Sequence, residues 1–143
     1  MMMFTIRSAI WQQDKALLRE IRTSVFVQEQ QVSSELEWDD RDKAALHWLA
    51  LDEQARPVGT CRMLLDGRIG RMATLKACRG NGIGRALLDS AVDCARTLQL
   101  CEAYLYAQTQ AITFYQRAGF IVSGEEFMEA NIPHKIMRLR LTK

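Results

Sequence analysis

Residues Arg79-Gly80-Asn81-Gly82-Ile83-Gly84-Arg85-Ala86-Leu87-Leu88 set three glycines at alternate positions between an apolar extended segment and an amphipathic stripe. That run forces a turn from strand to helix. Glycine permits positive φ and leaves backbone N–H groups uncovered by side chains. Bare amides at a helix N-terminus, with the positive end of the helix dipole behind them, favour an exposed anion by roughly 0.3–1 kcal/mol. They suit a phosphate-bearing ligand. A tight turn with no ligand is the plainer alternative. Spacing disfavours two nucleotide motifs. A P-loop ends in Gly-Lys-Ser/Thr, whereas Gly84 is followed by Arg85 and Ala86. A dinucleotide fingerprint needs unequally spaced glycines and an acid about 20 residues on. Glu102 lies near that distance, but Gly80, Gly82 and Gly84 do not fit the spacing. The pyrophosphate of a different ligand is the better candidate.

Strand and helix periodicities surround this turn. Residues 3–11 read as a first strand with Phe4, Ile6 and Ala9 inward, and residues 12–28 as an amphipathic helix on Leu17, Leu18, Ile21, Val25 and Phe26. Residues 30–45 are polar and acidic, a long loop with scope for one helical turn and of a length that often carries function. Strands are expected at 46–51, 58–65 and 68–75, the last two joined by the hairpin signal Asp66-Gly67. The helix opened by the glycines has the stripe Ile83, Leu87, Leu88, Ala91, Val92, Ala95 and Leu98. A strand at 101–107 precedes a short helix at 108–118, capped by Thr109 and ended by Gly119. Residues 120–128 and 135–141 form a final antiparallel pair. The order β-α-β-β-β-α-β-α-β-β describes a mixed sheet with helices against it, an α+β or α/β fold in one domain over residues 1–143.

At 143 residues the chain can bury one core without disulfide or metal staples. Nineteen basic against seventeen acidic residues leave a net charge of +2, not the clustered basic face of a nucleic-acid binder. No apolar run of about 18 residues is present to span a membrane. Met1-Met2-Met3-Phe4 lacks the charged start and long apolar stretch of a signal peptide. Cys61, Cys78, Cys94 and Cys101 have no CxxC spacing and lie in apolar segments. Buried reduced thiols in a cytoplasmic protein are therefore expected, and no zinc site.

Three features together resemble the GNAT superfamily of acyl-CoA-dependent N-acetyltransferases. Arg79, Gly82 and Gly84 match its Gln/Arg-x-x-Gly-x-Gly/Ala loop. Arg71-Met72-Ala73-Thr74-Leu75 lie at the offset of the strand before that loop. Phe114-Tyr115-Gln116-Arg117-Ala118-Gly119-Phe120 match an aromatic pair ahead of Ala/Leu-Gly-Phe. The element order matches the GNAT-like acyl-CoA N-acyltransferase fold over nearly the whole chain. The resemblance implies acetyl-CoA as co-substrate, no metal, and direct transfer of the acetyl group to an amine. It implies pantetheine pairing with the backbone of Met72, Ala73 and Thr74 on a splayed strand. The diphosphate cradle would run through Arg79, Gly80, Asn81, Gly82, Ile83, Gly84 and Arg85. Gln108 matches a polar position, often Asn, beside the pantetheine. Cys78 departs from the pattern, since an aromatic residue commonly precedes the Arg. Tyr115 matches the tyrosine that protonates the leaving thiolate, and an ordinary phenol with pKa near 10 holds its proton at neutral pH. Its helical spacing with Ile112 and Ala118 would equally suit a core aromatic, and Phe114 is expected to pack. Dimerisation is common in the family.

The N-terminal half is similar to a narrower group of small bacterial acetyltransferases, the ElaA-like or YjcF-like type. The matching pieces are Arg22-Thr23-Ser24-Val25-Phe26-Val27-Gln28-Glu29-Gln30, Glu37-Trp38-Asp39-Asp40-Arg41-Asp42 and His47. Residues 127–137 also fit, with Asn131 in place of the usual Gly, a residue that tolerates left-handed geometry. The acceptor is expected to be a small-molecule amine or a peptide. A neutral amine nucleophile needs a base or a water path. Glu29, Glu37, Asp39, Asp40, His47 and His134 are the candidates, against solvated carboxylates and a structural His47. An acidic loop near the acceptor would favour a cationic amine, tested by neutralising Glu37, Asp39 and Asp42 together. No cysteine has a histidine partner in view, so a covalent route is not expected. Rival readings are a non-catalytic acyl-CoA-binding regulatory module, a generic phosphate-binding fold and an acyl-homoserine-lactone-synthase-like acyltransferase. The last shares Arg-x-x-Val-Phe-Val, yet such enzymes generally lack the glycine loop and run longer.

Overall fold

Unbroken apolar runs need cover on both faces. In the computed structural model, which describes residues 2–32 and 40–142, those runs form the centre of one mixed sheet. The elements are β1 (Phe4–Ala9), α1 (Trp11–Arg22), β2 (Leu46–Asp52), β3 (Pro57–Met63), β4 (Arg68–Thr74), α2 (Ile83–Thr97), β5 (Glu102–Gln108), α3 (Ile112–Arg117), β6 (Ile121–Val122), β7 (Phe127–Glu129) and β8 (Ile132–Arg140). Strand order is β1-β2-β3-β4-β5-β8-β6, and β7 also pairs with β8. This is the expected α+β mixed-sheet architecture with one strand more. No helix among the described residues is long and apolar enough to cross a membrane.

The α2 stripe of Ile83, Leu87, Leu88, Ala91, Val92 and Ala95 is buried in the main core with Trp48, Ala50, Cys61, Met63 and Ile69. Each large aliphatic side chain there contributes about 1.5–3 kcal/mol of burial. Leu98, expected on the stripe, is the helix C-cap and is exposed. The other face is covered by α1, where Leu18 packs on Ala9 and Leu49, and Ile21 joins Val25 and Ala73. Ala9 therefore belongs to the α1 side, opposite Phe4 and Ile6 of the main core.

Several expected boundaries move. The α-helix stops at Arg22, and Thr23–Glu29 continue as π-helix, with the Gln30 N–H reaching the Val25 carbonyl at 2.9 Å. The wider turns swing Phe26 and Gln30 over the sheet. A 3₁₀ turn at Asp42–Ala44 ends the acidic segment. Thr109 makes no side-chain cap; it opens a 3₁₀ turn, Thr109–Ala111, ahead of α3. Residues 120–128 form two short strands, because the chain turns through Gly124 at φ +94° between them. Of the cysteines only Cys61 is fully buried and Cys101 is exposed, which corrects the expectation of four buried thiols.

A buried charge cluster joins the two halves of the chain. The Asp42 Oδ1 accepts from Arg22 at 2.9 Å and Arg62 at 3.1 Å, with all three side chains 1–5% exposed. It ties the end of α1 to the turn before β2 and to β3.

Candidate active site

The site begins with a strand that leaves its neighbour. β4 pairs with β3, yet meets β5 in parallel register only at Arg68–Tyr104 and Ile69–Leu105. Between the paired residues Gly70 and Ala73, Arg71 and Met72 together oppose Cys61, and Arg71 takes φ +46°. Such a bulge bends its strand. A left-handed L-residue costs about 1–2 kcal/mol, so strain is held at this point. Beyond Ile69 the β5-facing edge of β4 pairs with no strand among the described residues, and a cleft opens between the two strands.

At the open end stands the glycine turn. Gly80 and Gly82 have φ of +84° and +85°, and beyond the adjoining residues a Cβ at either would meet no atom of the described residues within 4 Å. Gly82 is the N-cap of α2, and its carbonyl accepts the first helical bond from Ala86 at 3.1 Å. The amides of Ile83, Gly84 and Arg85 therefore precede the helical ladder. The space in front of them is about 570 Å³ and is also lined by Met72, Ala73, Thr74, Phe114 and Tyr115. These residues fit an extended ligand with a diphosphate: open room, amides ahead of the helical ladder and, among the described residues, no acidic side chain on the wall.

Two members of the expected cradle point their side chains elsewhere. Arg79 donates to the Thr74 carbonyl at 3.0 Å and to both Glu29 oxygens at 2.8 Å. Asn81 donates to the Cys78 carbonyl at 2.9 Å and accepts from the Met2 N–H at 3.2 Å. Both brace the loop. Arg85 lines the rim and donates to Asp89 at 3.0 Å. Gln108 donates to Gln30 at 2.9 Å and accepts from Gln110 at 2.7 Å, bridging β5 to the π-helical segment.

Tyr115 and Met72 line both this groove and a second cavity of about 180 Å³. Tyr115 is held edge-on by Phe114 at 5.1 Å and Phe120 at 6.2 Å. Its hydroxyl makes no hydrogen bond among the described residues. Burial, and then the nearby Cys61 thiol, push its pKa well above the ordinary phenol value.

The base candidates separate. His134 lines the second cavity; its Nδ1 donates to the Ile132 carbonyl at 2.7 Å, which leaves Nε2 as the ring nitrogen not engaged by that bond. Glu29 is held by Arg79, and the hydrogen bonds from that guanidinium keep its carboxyl below the usual range. Asp40 is exposed and lines neither cavity. Glu37 and Asp39 lie outside the described residues. Asp42, counted with the acidic loop, is buried in the charge cluster, so it cannot act as a solvated carboxylate.

His47 is structural. Its Nε2 lies 2.8 Å from the Asp42 carbonyl and its ring stacks on Trp11 at 5.4 Å. Burial holds its pKa below the ordinary 6.5, outweighing the pull of that carbonyl. Stability from this residue is full above about pH 6.5 and declines as pH falls below it, because the unfolded chain takes up the proton first. Moving from pH 7.5 to 5.5 should thus lower the urea midpoint more in wild type than in His47→Gln. Equal losses would assign the acid sensitivity to another group.

Arg68, Arg71, Tyr106 and Glu129 complete the second cavity, and sequence reasoning missed them. Their positions come from the bulge in β4 and the return of the β7–β8 hairpin; the only local signal is broken alternation around Gly70.

A family model described as an acetyltransferase (GNAT) domain matches residues 13–141. The uncharacterized N-acetyltransferase YjcF of Bacillus subtilis (strain 168) is 34% identical over 118 residues, covering 80% of this chain and 84% of that protein. Among solved structures, an acyl-CoA N-acyltransferase from Pseudomonas aeruginosa superposes with a TM-score of 0.80 at 31% identity, covering 97% of this chain and 99% of that one. Escherichia coli ElaA superposes with a TM-score of 0.84 at 27% identity, covering 95% and 99%.

Proposed function

Because this chain belongs to the GNAT acetyltransferase family, we propose that it transfers the acetyl group of acetyl-CoA directly to the primary amine of an acceptor. One observation carries the reading: the glycine turn, β4 from Met72 to Thr74 and Tyr115 line one groove, and Met72 and Tyr115 also line a second cavity. The amides of Ile83, Gly84 and Arg85 bind the diphosphate, with the α2 dipole behind them. Gly80 and Gly82 leave room for it. Backbone of Met72, Ala73 and Thr74 receives the pantetheine arm as it would an added strand. Bound acetyl-CoA supplies an activated acyl group; the protein contributes orientation and proton handling. His134 Nε2 accepts the proton of the attacking amine. Tyr115 gives its proton to the departing sulfur as the C–S bond breaks and the N–C bond forms.

Tyr115→Phe removes that proton and keeps the ring. We expect CoA release to fall by about 100-fold or more in kcat, with acetyl-CoA affinity unchanged by calorimetry. In wild type, any alkaline loss of rate that belongs to Tyr115 should lie above about pH 10, because the folded-state pKa is raised. A variant as fast as wild type would remove Tyr115 from the chemistry. Acetyl-CoA binding without CoA release on any amine or peptide would instead support a non-catalytic module.

A further inference from the structure

The closed end of the β4–β5 cleft holds a cation that the transfer chemistry does not use. Arg68, the first residue of β4, keeps its guanidinium 3.8 Å from the centroid of the Tyr106 ring. Its side chain is 17% exposed, and the Glu129 carboxylate stands 3.7 Å away, beyond hydrogen-bond distance. The guanidinium donates no hydrogen bond to any described residue. Tyr106 is braced edge-on by Phe127 at 5.3 Å, and Phe127 stacks on His134 at 5.8 Å. An aromatic wall thus fixes the cation, and Arg68 lines the same cavity as Tyr115 and His134. A guanidinium presents five N–H groups suited to a two-oxygen anion, and it binds more strongly when water is kept away. Among the described residues, Arg68 and Arg71 against Glu129 leave the charged groups lining the cavity with a net single positive charge, which suits a monoanion better than a phosphate dianion.

We propose that the acceptor is a small primary amine that also carries a carboxylate, with Arg68 holding the carboxylate and the amine directed toward Tyr115 and His134. This rests on the acetyl-transfer reading above. The acidic-loop expectation of a cationic amine concerns the amino end of the same acceptor; of the three carboxylates in its test, Asp42 is buried and Glu37 and Asp39 lie outside the described residues.

The test uses matched pairs with acetyl-CoA: phenylalanine and phenethylamine, leucine and isoamylamine, β-alanine and ethylamine, with phosphoethanolamine as the phosphate arm. CoA release is followed for wild type, Arg68→Gln and Arg68→Lys, and acetyl-CoA affinity is measured by calorimetry. In at least one pair the carboxylated member should have kcat/KM about tenfold or more above its partner, the effect of one charge-assisted bidentate contact. Arg68→Gln should bring that ratio near one through KM, Arg68→Lys should retain part of it, and neither should alter acetyl-CoA affinity. The proposal is overturned if the decarboxylated amines or phosphoethanolamine are preferred. A ratio that survives in Arg68→Gln overturns it too, as does bound acetyl-CoA with no carboxylated amine reacting. Absence of acetyl-CoA binding to wild type would defeat the transfer reading itself, a distinct result that takes the proposal with it.

Discussion

Replacing Gly82 with Glu should weaken acetyl-CoA binding by at least about 100-fold, equivalent to about 2.7 kcal/mol, in a protein that still folds. Gly82 sits at φ +85° with open space where a side chain would go, so the new residue strains the backbone and enters the groove. The strain alone is about 1–2 kcal/mol. The larger effect is electrostatic, since a carboxylate would stand where the α2 amides and dipole receive a diphosphate. Gly82→Ala separates the two contributions, because it adds strain and a methyl group without charge, and a smaller loss is expected. Calorimetry with acetyl-CoA gives the affinities, and urea unfolding checks that the stability cost stays near the strain value. Affinity within threefold of wild type in Gly82→Glu would exclude this turn from the binding site.

Asp42→Ala should cost about 3–5 kcal/mol of stability, the usual penalty for taking one partner from a buried ion cluster. Asp42 Oδ1 is the shared acceptor of Arg22 and Arg62, and its removal leaves two buried guanidinium groups without it. Against typical domain stabilities of about 5–15 kcal/mol, that is a large fraction. A fall in urea midpoint at constant slope is the expected signature; a loss under about 1 kcal/mol would show that the cluster contributes little. The consequence reaches the active site, because Arg22 ends α1 and the next residues carry Glu29 and Gln30 to Arg79 and Gln108. Charge neutralisation in the acidic segment should therefore spare Asp42 if acceptor affinity is the quantity of interest.

Much of this was legible in one dimension. Apolar alternation and helical stripes located the strands and helices to within a few residues, since burial on one face imposes those periods on neighbouring positions. Errors collected where the decisive contact is remote. The π-helical turns follow from a segment drawn over the sheet to Arg79 and Gln108, and nothing in residues 23–29 alone forbids an α-helix there. The split of residues 120–128 into β6 and β7 depends on how both pair with β8. Glu29 and His47 read as bases in the sequence because their partners are remote from them or on another element: Arg79, 50 positions along the chain from Glu29, and for His47 the Asp42 carbonyl and the Trp11 ring.

Sequence by itself determined the strand-turn-helix unit with its left-handed glycines, the aromatic pair ending at Gly119 and the family they resemble. Those features are short-range: φ preferences, capping and side-chain period are settled by a handful of adjacent residues. Only the tertiary structure decided that Arg71 bulges β4 away from β5, that Asp42 is a buried keystone, and that Arg68, Glu129 and His134 share a cavity with Tyr115. These depend on strand register and packing between residues far apart in the chain, where many sequences offer the same local signals and the lowest-energy assembly selects among them.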